Sequence, residues 1–95
     1  MEAATELKVF SFSEALVGIK EGKKATRFGW NGRGMYVYLV NGSKFTVNRP
    51  PLSEILPEGT EVTYRAHIDM RTANGEFVPW IASQSDLIEE DWYFV

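Results

Sequence analysis

The segment from Glu61 to Trp80 restricts the fold of this chain more than any other part of the sequence. A strict alternation with a period of two residues is the pattern of a β-strand with one buried face. Asn74-Gly75 then offers the positive φ values of a tight turn, and an apolar run resumes at Phe77-Val78-Pro79-Trp80. The sequence therefore predicts a hairpin whose first strand has two faces, one with Val62, Tyr64, Ala66, Ile68 and Met70 and the other with Glu61, Thr63, Arg65, His67 and Asp69.

The end of this predicted hairpin combines polar and apolar side chains. Asp69 offers a hydrogen-bond acceptor, Arg71 a permanent cation and Thr72 a hydroxyl group, and all three are close to Met70 and Trp80. Such a mixture suits a polar ligand that carries a flat ring. We therefore treat the hairpin end as a candidate binding site.

Local signals predict two helices. Ser11 and Glu14 have the spacing of a capping box, an apolar stripe with helical spacing follows, and Gly22 stands where a left-handed residue ends a helix. We expect a helix over residues 12–21. Ser83 or Ser85 is expected to cap a second, short helix through residues 86–88.

Further strands are predicted at 25–28, 35–40, 43–47 and 92–95. Asn41-Gly42 between the second and third of these indicates a hairpin, and the apolar last strand is expected inside the sheet. The predicted fold is α+β, with the N-terminal helix packed on a mostly antiparallel sheet of five to six strands and the short second helix before the last strand. Residues 1–9 are expected to be a loosely ordered extension, and residues 10–95 a single domain.

Composition limits the class of protein. A chain of 95 residues forms one domain and buries only about 60 to 65% of its unfolded surface. Yet 44% of the residues are hydrophobic and 14% aromatic, so we expect apolar surface at a subunit interface or in a ligand pocket. The absence of cysteine, of a signal sequence and of a long apolar run predicts a cytosolic protein.

The charge distribution argues against a general nucleic-acid binder. The net charge is −3, and phosphate-backbone affinity depends on clustered cations. The first third of the chain is nevertheless basic, so a small anion has a candidate pocket there. The cations of this part are Lys20, Lys23, Lys24, Arg27 and Arg33. The alternative is that the three lysines only complement the C-terminal end of the first helix, in agreement with its dipole.

Three glycines between positions 29 and 34 predict a loop that approaches other groups closely. Trp30 and Asn31 lie at its apex. Two interpretations remain open for Trp30: it contacts a ligand, or it folds back onto the core.

Catalysis has little support in the sequence. His67 and Asp69 share a strand face and are the one candidate acid-base pair, but a solvated or hydrogen-bonded strand surface is the simpler explanation for them. There is no cysteine nucleophile, and no third ligand at a suitable spacing suggests a metal site. We therefore expect no catalytic residue, no metal and no cofactor.

Several separated motifs resemble small phage and prophage proteins long catalogued as a domain of unknown function and now understood as the second type of Thoeris anti-defence protein. The resemblance covers roughly residues 10–95. The motifs that carry it are Phe12-Ser13-Glu14-Ala15-Leu16, the segment from Lys20 to Lys24, Gly29-Trp30-Asn31-Gly32, Met35-Tyr36-Val37-Tyr38-Leu39-Val40, Ile68-Asp69-Met70, Thr72-Ala73-Asn74-Gly75, Val78-Pro79-Trp80, Ala82-Ser83-Gln84-Ser85-Asp86-Leu87 and Asp91-Trp92.

The resemblance implies a sponge that sequesters a signalling nucleotide and does not degrade it. Thoeris TIR-domain enzymes make glycocyclic ADP-ribose, which activates a killing effector, and proteins of this family bind that molecule in the host cytoplasm. Some members also hold cyclic dinucleotides of the CBASS system at a separate site, and members are described as homotetramers with ligand sites at subunit interfaces. Neither DNA, RNA nor a membrane is an expected partner.

On this interpretation Trp30 stacks on the ligand and Asn31 makes polar contacts. Asp69 accepts hydrogen bonds from ribose hydroxyls or the adenine amino group, and Met70 packs against the ring. Arg71 and Thr72 contact the diphosphate. The complete set of expected ligand-binding residues is Trp30, Asn31, Asp69, Met70, Arg71, Thr72, Ser83 and Gln84. Trp80 and Trp92 are assigned to the core.

Two other classes of function are compatible with the sequence. One is a small phage structural or protein-interaction module whose aromatic residues build an oligomer. The other is direct inhibition of a host defence enzyme by protein contact.

Overall fold

The computed structural model describes residues 8–31 and 33–95, so most of the predicted extension over residues 1–9 lies outside the described residues. The predicted α+β fold is confirmed, with two helices and seven strands in this part of the chain. In chain order the elements are α1 (Phe12–Lys20), β1 (Ala25–Arg27), β2 (Tyr36–Val40), β3 (Ser43–Thr46), a 3₁₀ turn (Leu52–Glu54), β4 (Glu61–Tyr64), β5 (His67–Arg71), β6 (Phe77–Pro79), α2 (Gln84–Ile88) and β7 (Trp92–Phe94). Within the described ranges, no helix is both long and apolar enough to cross a membrane.

Helix α1 begins at the predicted residue and ends one residue early, at Lys20. The Ser11 hydroxyl accepts from the Glu14 amide, and the Glu14 carboxylate accepts from the Ser11 amide. Gly22 follows the last turn with a φ of 98°. The helix therefore ends one residue before the predicted limit, and it buries Ala15, Gly18 and Ile19.

The body of the protein is a five-stranded antiparallel sheet in the order β6-β5-β2-β1-β7. Helix α1 packs on one face of this sheet. The core between the two layers consists of Ala15, Ile19, Ala25, Val37 and Trp92, all of them fully buried. These contacts place Trp92 in the core, as the sequence indicated.

The last strand lies at the edge of the sheet, so its predicted position inside the sheet is wrong. Its outer side is nevertheless covered at one point. The Phe10 amide donates to the Trp92 carbonyl at 2.9 Å, and the Trp92 amide donates to the Phe10 carbonyl at 3.1 Å. This bridge satisfies backbone groups that an exposed edge would leave unpaired.

The predicted hairpin between residues 35–40 and 43–47 is also wrong. Strand β2 pairs with β5, while β3 pairs with β4 in a separate two-stranded sheet. Neither Asn41 nor Gly42 has the positive φ that a type I′ turn requires, so the chain continues in its direction. A Cβ at Gly42 would lie 2.7 Å from the Tyr64 carbonyl oxygen, so this glycine serves a close approach of two strands.

The long strand predicted from Glu61 to Met70 is interrupted at Arg65-Ala66 and divides into β4 and β5. The register continues across this interruption. Val40 pairs with His67 and Ser43 pairs with Tyr64, so two residues separate the ladders on each side. Strands β2–β3 and β4–β5 thus form one ribbon, and we call the part from Ser43 to Tyr64 the arm.

The predicted hairpin of β5 and β6 is confirmed. The Thr72 amide donates to the Glu76 carbonyl at 2.7 Å, and the Gly75 amide donates to the Thr72 carbonyl at 2.9 Å. Gly75 has a φ of 86°, a value that residues other than glycine rarely adopt. After this hairpin, Ser83 caps α2 through a second capping box with Asp86.

Candidate functional site

Trp30 folds back onto the core in this structure. Its ring lies 5.2 Å from that of Trp92 and 6.4 Å from that of Trp80, edge to face in both cases. Its indole nitrogen donates to Asp86 Oδ1 at 2.9 Å. The stacking of a ligand on Trp30 remains a prediction. In this structure the Trp30 ring packs against the indole rings of Trp80 and Trp92.

A buried ion-pair cluster fixes the start of the Trp30 loop. Arg27 Nη1 donates to Asp86 Oδ1 at 2.7 Å, and Arg27 Nε donates to Asp91 Oδ1 at 2.8 Å. The Gly29 amide donates to the second oxygen of Asp91, also at 2.8 Å. Only 8% of the Arg27 side chain is exposed. This arginine therefore joins β1 to the C-terminal segment and does not contribute to the basic surface expected from the sequence.

The cluster changes the ionisation of its members. Burial of Asp86 raises its pKa, but hydrogen bonds from the Ser83 amide, the Trp30 indole and Arg27 outweigh this effect and hold the pKa below its ordinary value. The hydrogen bond from Arg27 is the main reason why the pKa of Asp91 is also lowered. Both carboxylates are therefore charged at neutral pH.

Asp69 lies on the face of the sheet that α1 does not cover, which we call the open face. It shares this face with Tyr38, its partner in β2, because Val37 on the opposite side of that strand is in the core. Its Oδ1 atom is buried, and within the described residues it has no hydrogen-bond partner. Only 20% of the side chain is exposed, and this fraction belongs to its other atoms.

A neutral His67 ring carries one ring proton, so it cannot donate to both of its neighbours. Its Nδ1 atom is 3.1 Å from the Arg65 carbonyl, which accepts a proton and cannot donate one. A neutral ring with its proton on Nδ1 presents a bare Nε2 to Asp69 Oδ1, 3.4 Å away. Only the imidazolium donates to both groups, so the predicted acid-base pair is a long contact on a strand surface.

Aromatic rings surround Asp69 on the open face, and sequence reasoning did not assign them to the site. Tyr38 lies 6.0 Å from both Tyr36 and Phe77, edge to face, and Lys24 Nζ lies 4.8 Å above the Tyr36 ring. Burial, and next the charge of Asp69, raise the pKa of the Tyr38 hydroxyl. The alternation of Tyr36, Val37 and Tyr38 was the signal that could have identified this face.

Arg71 and Thr72 have partners within the protein. Arg71 Nη1 donates to the Gly34 carbonyl at 2.9 Å and to the Thr72 carbonyl at 3.3 Å, so it holds the end of the Trp30 loop against the β5–β6 turn. The Thr72 hydroxyl accepts from the Glu76 amide at 3.1 Å. Met70 lies on the other face of β5, packed against the core.

The remaining predicted residues are at the surface. Asn31 and Gln84 are exposed, and the Ser83 hydroxyl accepts from the Asp86 amide at 3.1 Å as the cap of α2. The Trp30 indole donates to Asp86 in α2. Asn31 directly follows Trp30, and Gln84 directly follows the cap residue Ser83, so both exposed residues are next in the chain to residues that bond Asp86.

Six of the eight predicted residues therefore fall into three groups, a core-facing group with Trp30 and Met70, an open-face group with Asp69 and Arg71, and a surface group with Asn31 and Gln84. The other two, Thr72 and Ser83, accept hydrogen bonds from nearby backbone amides. A groove of about 330 Å³ between α1 and the C-terminal strand contains none of them; its lining residues include Phe10, Val17, Lys23 and Phe94. No group of three or more potential metal-ligating side chains is found in the described ranges.

Comparison with known proteins identifies the family. Residues 10–95 match the sequence model of the Thoeris anti-defense 2-like domain. The chain belongs to this family. It is also 30% identical over 95 residues to a protein of Bacillus phage SP01 named Thoeris anti-defense 2, and the match covers 90% of this chain and 93% of that relative. Family membership confirms the resemblance stated from the motifs and supports an anti-defence role.

Proposed function

We propose that this protein is a sponge that binds glycocyclic ADP-ribose, the immune signal of the Thoeris system, and holds it intact in the host cytoplasm. The observation that carries the proposal is membership of the Thoeris anti-defense 2 family over residues 10–95. Sequestration requires no catalytic group. The candidate acid-base pair is a long contact, with His67 Nε2 3.4 Å from Asp69 Oδ1. A second site for cyclic dinucleotides of the CBASS system is part of the proposal.

The open face supplies groups that suit such a ligand. Tyr36, Tyr38 and Phe77 offer ring surfaces for stacking, and Lys24 brings a positive charge to the same area. Asp69 adds a carboxylate beside these rings, with its Oδ1 atom buried and 20% of the side chain exposed. A base, a ribose hydroxyl and a phosphate group find complementary partners there.

Binding energy favours a site made by more than one chain. Stacking of a base on an aromatic ring contributes about 1–3 kcal/mol, and a charged hydrogen bond about 1.5–3 kcal/mol. Nanomolar affinity corresponds to about 12 kcal/mol after an association cost of about 4–15 kcal/mol. We therefore propose a homo-oligomer, a tetramer as in the family, in which residues on different faces of one chain meet those of another.

Capture of the signal tests this function. TIR-enzyme lysate is first freed of proteins, so that the enzyme itself cannot be the target, and the purified protein is then added and separated by ultrafiltration. We expect the filtrate to lose its ability to activate the effector, and heat denaturation of the retained protein to release intact glycocyclic ADP-ribose, identified by mass spectrometry.

A matched pair of variants locates the site. Asp69→Asn removes a carboxylate from the open face, and Glu76→Gln removes one from the exposed turn of the same hairpin. We expect the first to reduce capture by at least tenfold and the second to leave it unchanged. Release of a cleaved nucleotide would indicate an enzyme instead, and a fully active filtrate with nothing released would favour the protein-interaction module.

A further inference from the structure

Asp86 joins two segments that are far apart in the sequence. Its Oδ1 atom accepts from the Trp30 indole nitrogen at 2.9 Å, and its Oδ2 atom accepts from the Ser83 amide, also at 2.9 Å. Asn31 directly follows Trp30, and Gln84 directly follows Ser83. One carboxylate therefore holds together the two segments that carry half of the eight predicted ligand-binding residues.

The position of this carboxylate is fixed from several sides. Arg27 Nη1 donates to the same Oδ1 atom at 2.7 Å, and the side chains of Arg27 and Asp86 are both only 8% exposed. The Asp86 carbonyl accepts from the indole nitrogen of Trp92, which is fully buried, at 2.8 Å. A polar network whose members are buried and bonded to one another is rigid. The carboxylate is therefore a fixed acceptor in the protein without a ligand.

The Trp30 ring is oriented by this acceptor and by two neighbouring rings. It packs edge to face against Trp80 and Trp92, with ring centroids 6.4 and 5.2 Å apart. The edge of the indole that carries the nitrogen faces Asp86, so a half-turn of the ring about its bond to Cβ would break the hydrogen bond. Trp30 is only partly buried. The free protein thus presents this indole in a single orientation.

We infer that Asp86 is a positioning residue for nucleotide binding, which acts through the Trp30 indole. The inference rests on the proposed function, because it assumes that Trp30 stacks on the captured signal. Asp86 is only 6% exposed, so its effect on the ligand passes through the ring and not through direct contact. A side chain that is already immobile loses little freedom on binding, and a fixed ring therefore binds more tightly than a ring that the ligand has to order.

The indole N–H of the wild type tests the orientation of the ring. The chain has three tryptophans, and in a proton–nitrogen correlation spectrum the Trp30 signal is the one that is absent from Trp30→Phe. We expect the Trp30 N–H to exchange with water about tenfold more slowly than that of free tryptophan. We also expect it to stay protected when purified glycocyclic ADP-ribose is added. Loss of this protection on binding would mean that the ligand turns the ring, and it would overturn the inference.

A double-mutant cycle tests whether Asp86 acts through the ring. Asp86→Ala removes the acceptor, and Trp30→Phe keeps an aromatic ring but removes the donor. We expect Asp86→Ala to raise the dissociation constant for the nucleotide about fivefold when Trp30 is present. In the Trp30→Phe background the same change should have an effect of less than about twofold. Glu90→Ala, which removes a carboxylate from an exposed position of the same segment, is the matched control and should bind as the wild type does.

Titration calorimetry separates positioning from a structural role. A merely structural Asp86 would lower the fraction of protein that binds, which is the stoichiometry, and leave the dissociation constant of the folded molecules unchanged. If Asp86→Ala does not fold, the protection of the Trp30 N–H in the free and bound wild type decides the matter.

The outcomes distinguish the two proposals. An unchanged dissociation constant in Asp86→Ala, or an equal increase in both backgrounds, would overturn the inference and leave the sponge intact. A wild type that binds no nucleotide would overturn the sponge and the inference together.

Discussion

Asp86 is the residue on which three parts of the chain converge. Its carboxylate accepts from Arg27 in β1, from the Trp30 indole and from the Ser83 amide at the start of α2, and its carbonyl accepts from the Trp92 indole at 2.8 Å. A charge removed from water needs partners of this kind, since an unpaired buried charge costs several kcal/mol.

Loss of the Asp86 carboxylate should therefore be costly. For Asp86→Ala we expect a decrease of about 3–5 kcal/mol in the free energy of unfolding, because Arg27 stays buried with only part of its charge balanced. Asp91→Ala should cost less, since 26% of the Asp91 side chain is exposed. Urea denaturation followed by tryptophan fluorescence measures both, and equal losses would argue against Asp86 as the centre of the cluster.

The same cluster predicts acid sensitivity. The pKa values of Asp86 and Asp91 are lowered in the folded state relative to an ordinary value of 3.8, so their contribution to stability is present above that pH. It is lost as the pH falls through the lowered values. Wild-type stability should decrease as the pH falls below the ordinary value of 3.8, with a smaller decrease in Asp86→Asn. Glu90→Gln, at an exposed position, serves as control, and identical pH profiles for all three proteins would contradict the prediction.

At the scale of single residues, the sequence was informative where the interaction is local. The caps at Ser11 and Ser83 each join residues three positions apart, and both were predictable from spacing. The bonds from Arg27 to Asp86 and Asp91 join residues that are about 60 positions apart, and they exist because β1 and β7 are neighbours in the sheet. A pattern read along the chain carries no information on which strands become neighbours.

At the scale of elements, the two Asn-Gly dipeptides of the chain adopt different structures. Asn74-Gly75 lies in the turn of a real hairpin, whereas Asn41-Gly42 lies in a ribbon that continues in its direction. Both stand between apolar strands, so the local sequence favours a turn in each case. Strand β2 instead pairs with β5, and tertiary pairing overrides the local preference.

The close approach at Gly42 provides a test of the ribbon. In Gly42→Ala the new methyl group would meet the Tyr64 carbonyl, which belongs to the backbone and cannot rotate away. We expect a loss of about 1–3 kcal/mol and faster amide exchange in β3 and β4, with α1 less affected. Asn41→Ala is the neighbouring control. Unchanged exchange in Gly42→Ala would mean that the two strands separate at this point.

At the scale of the whole molecule, the α+β class and the order of helices and strands followed from periodicity, while the shape did not. The alternation from Val62 to Met70 correctly grouped residues on one side of the ribbon, but it contains no signal for where the supporting helix layer ends. Of the predicted site, Asp69 and its neighbours were proposed from charge and spacing, and their role in ligand binding remains a prediction. The aromatic open face around Tyr38 emerged only from the strand pairing.

The elongated shape is measurable in the absence of assembly. Small-angle X-ray scattering of a Phe45→Glu/Tyr64→Glu variant, measured on the fraction that elutes as a monomer, should give a longest dimension near 61 Å, because neither arm strand packs substantially on the body. Thr46→Glu/Thr63→Glu, with the same charges on the other side of the same strands, is the matched control. A monomer with a radius of gyration of about 12 Å would mean that the arm folds back onto the body.

The shared register of the two ladders also limits how relatives of this protein can vary in length. One residue gained on a single side between β2 and β3 would exchange the two sides of that strand, so that Phe45 would face where Lys44 does now. The arm can therefore lengthen or shorten without loss of its pattern only in steps of two residues on each strand, with equal changes at Asn41-Gly42 and Arg65-Ala66. Its tip between Val47 and Thr60, beyond the last pair of the ladder, is free of this restriction.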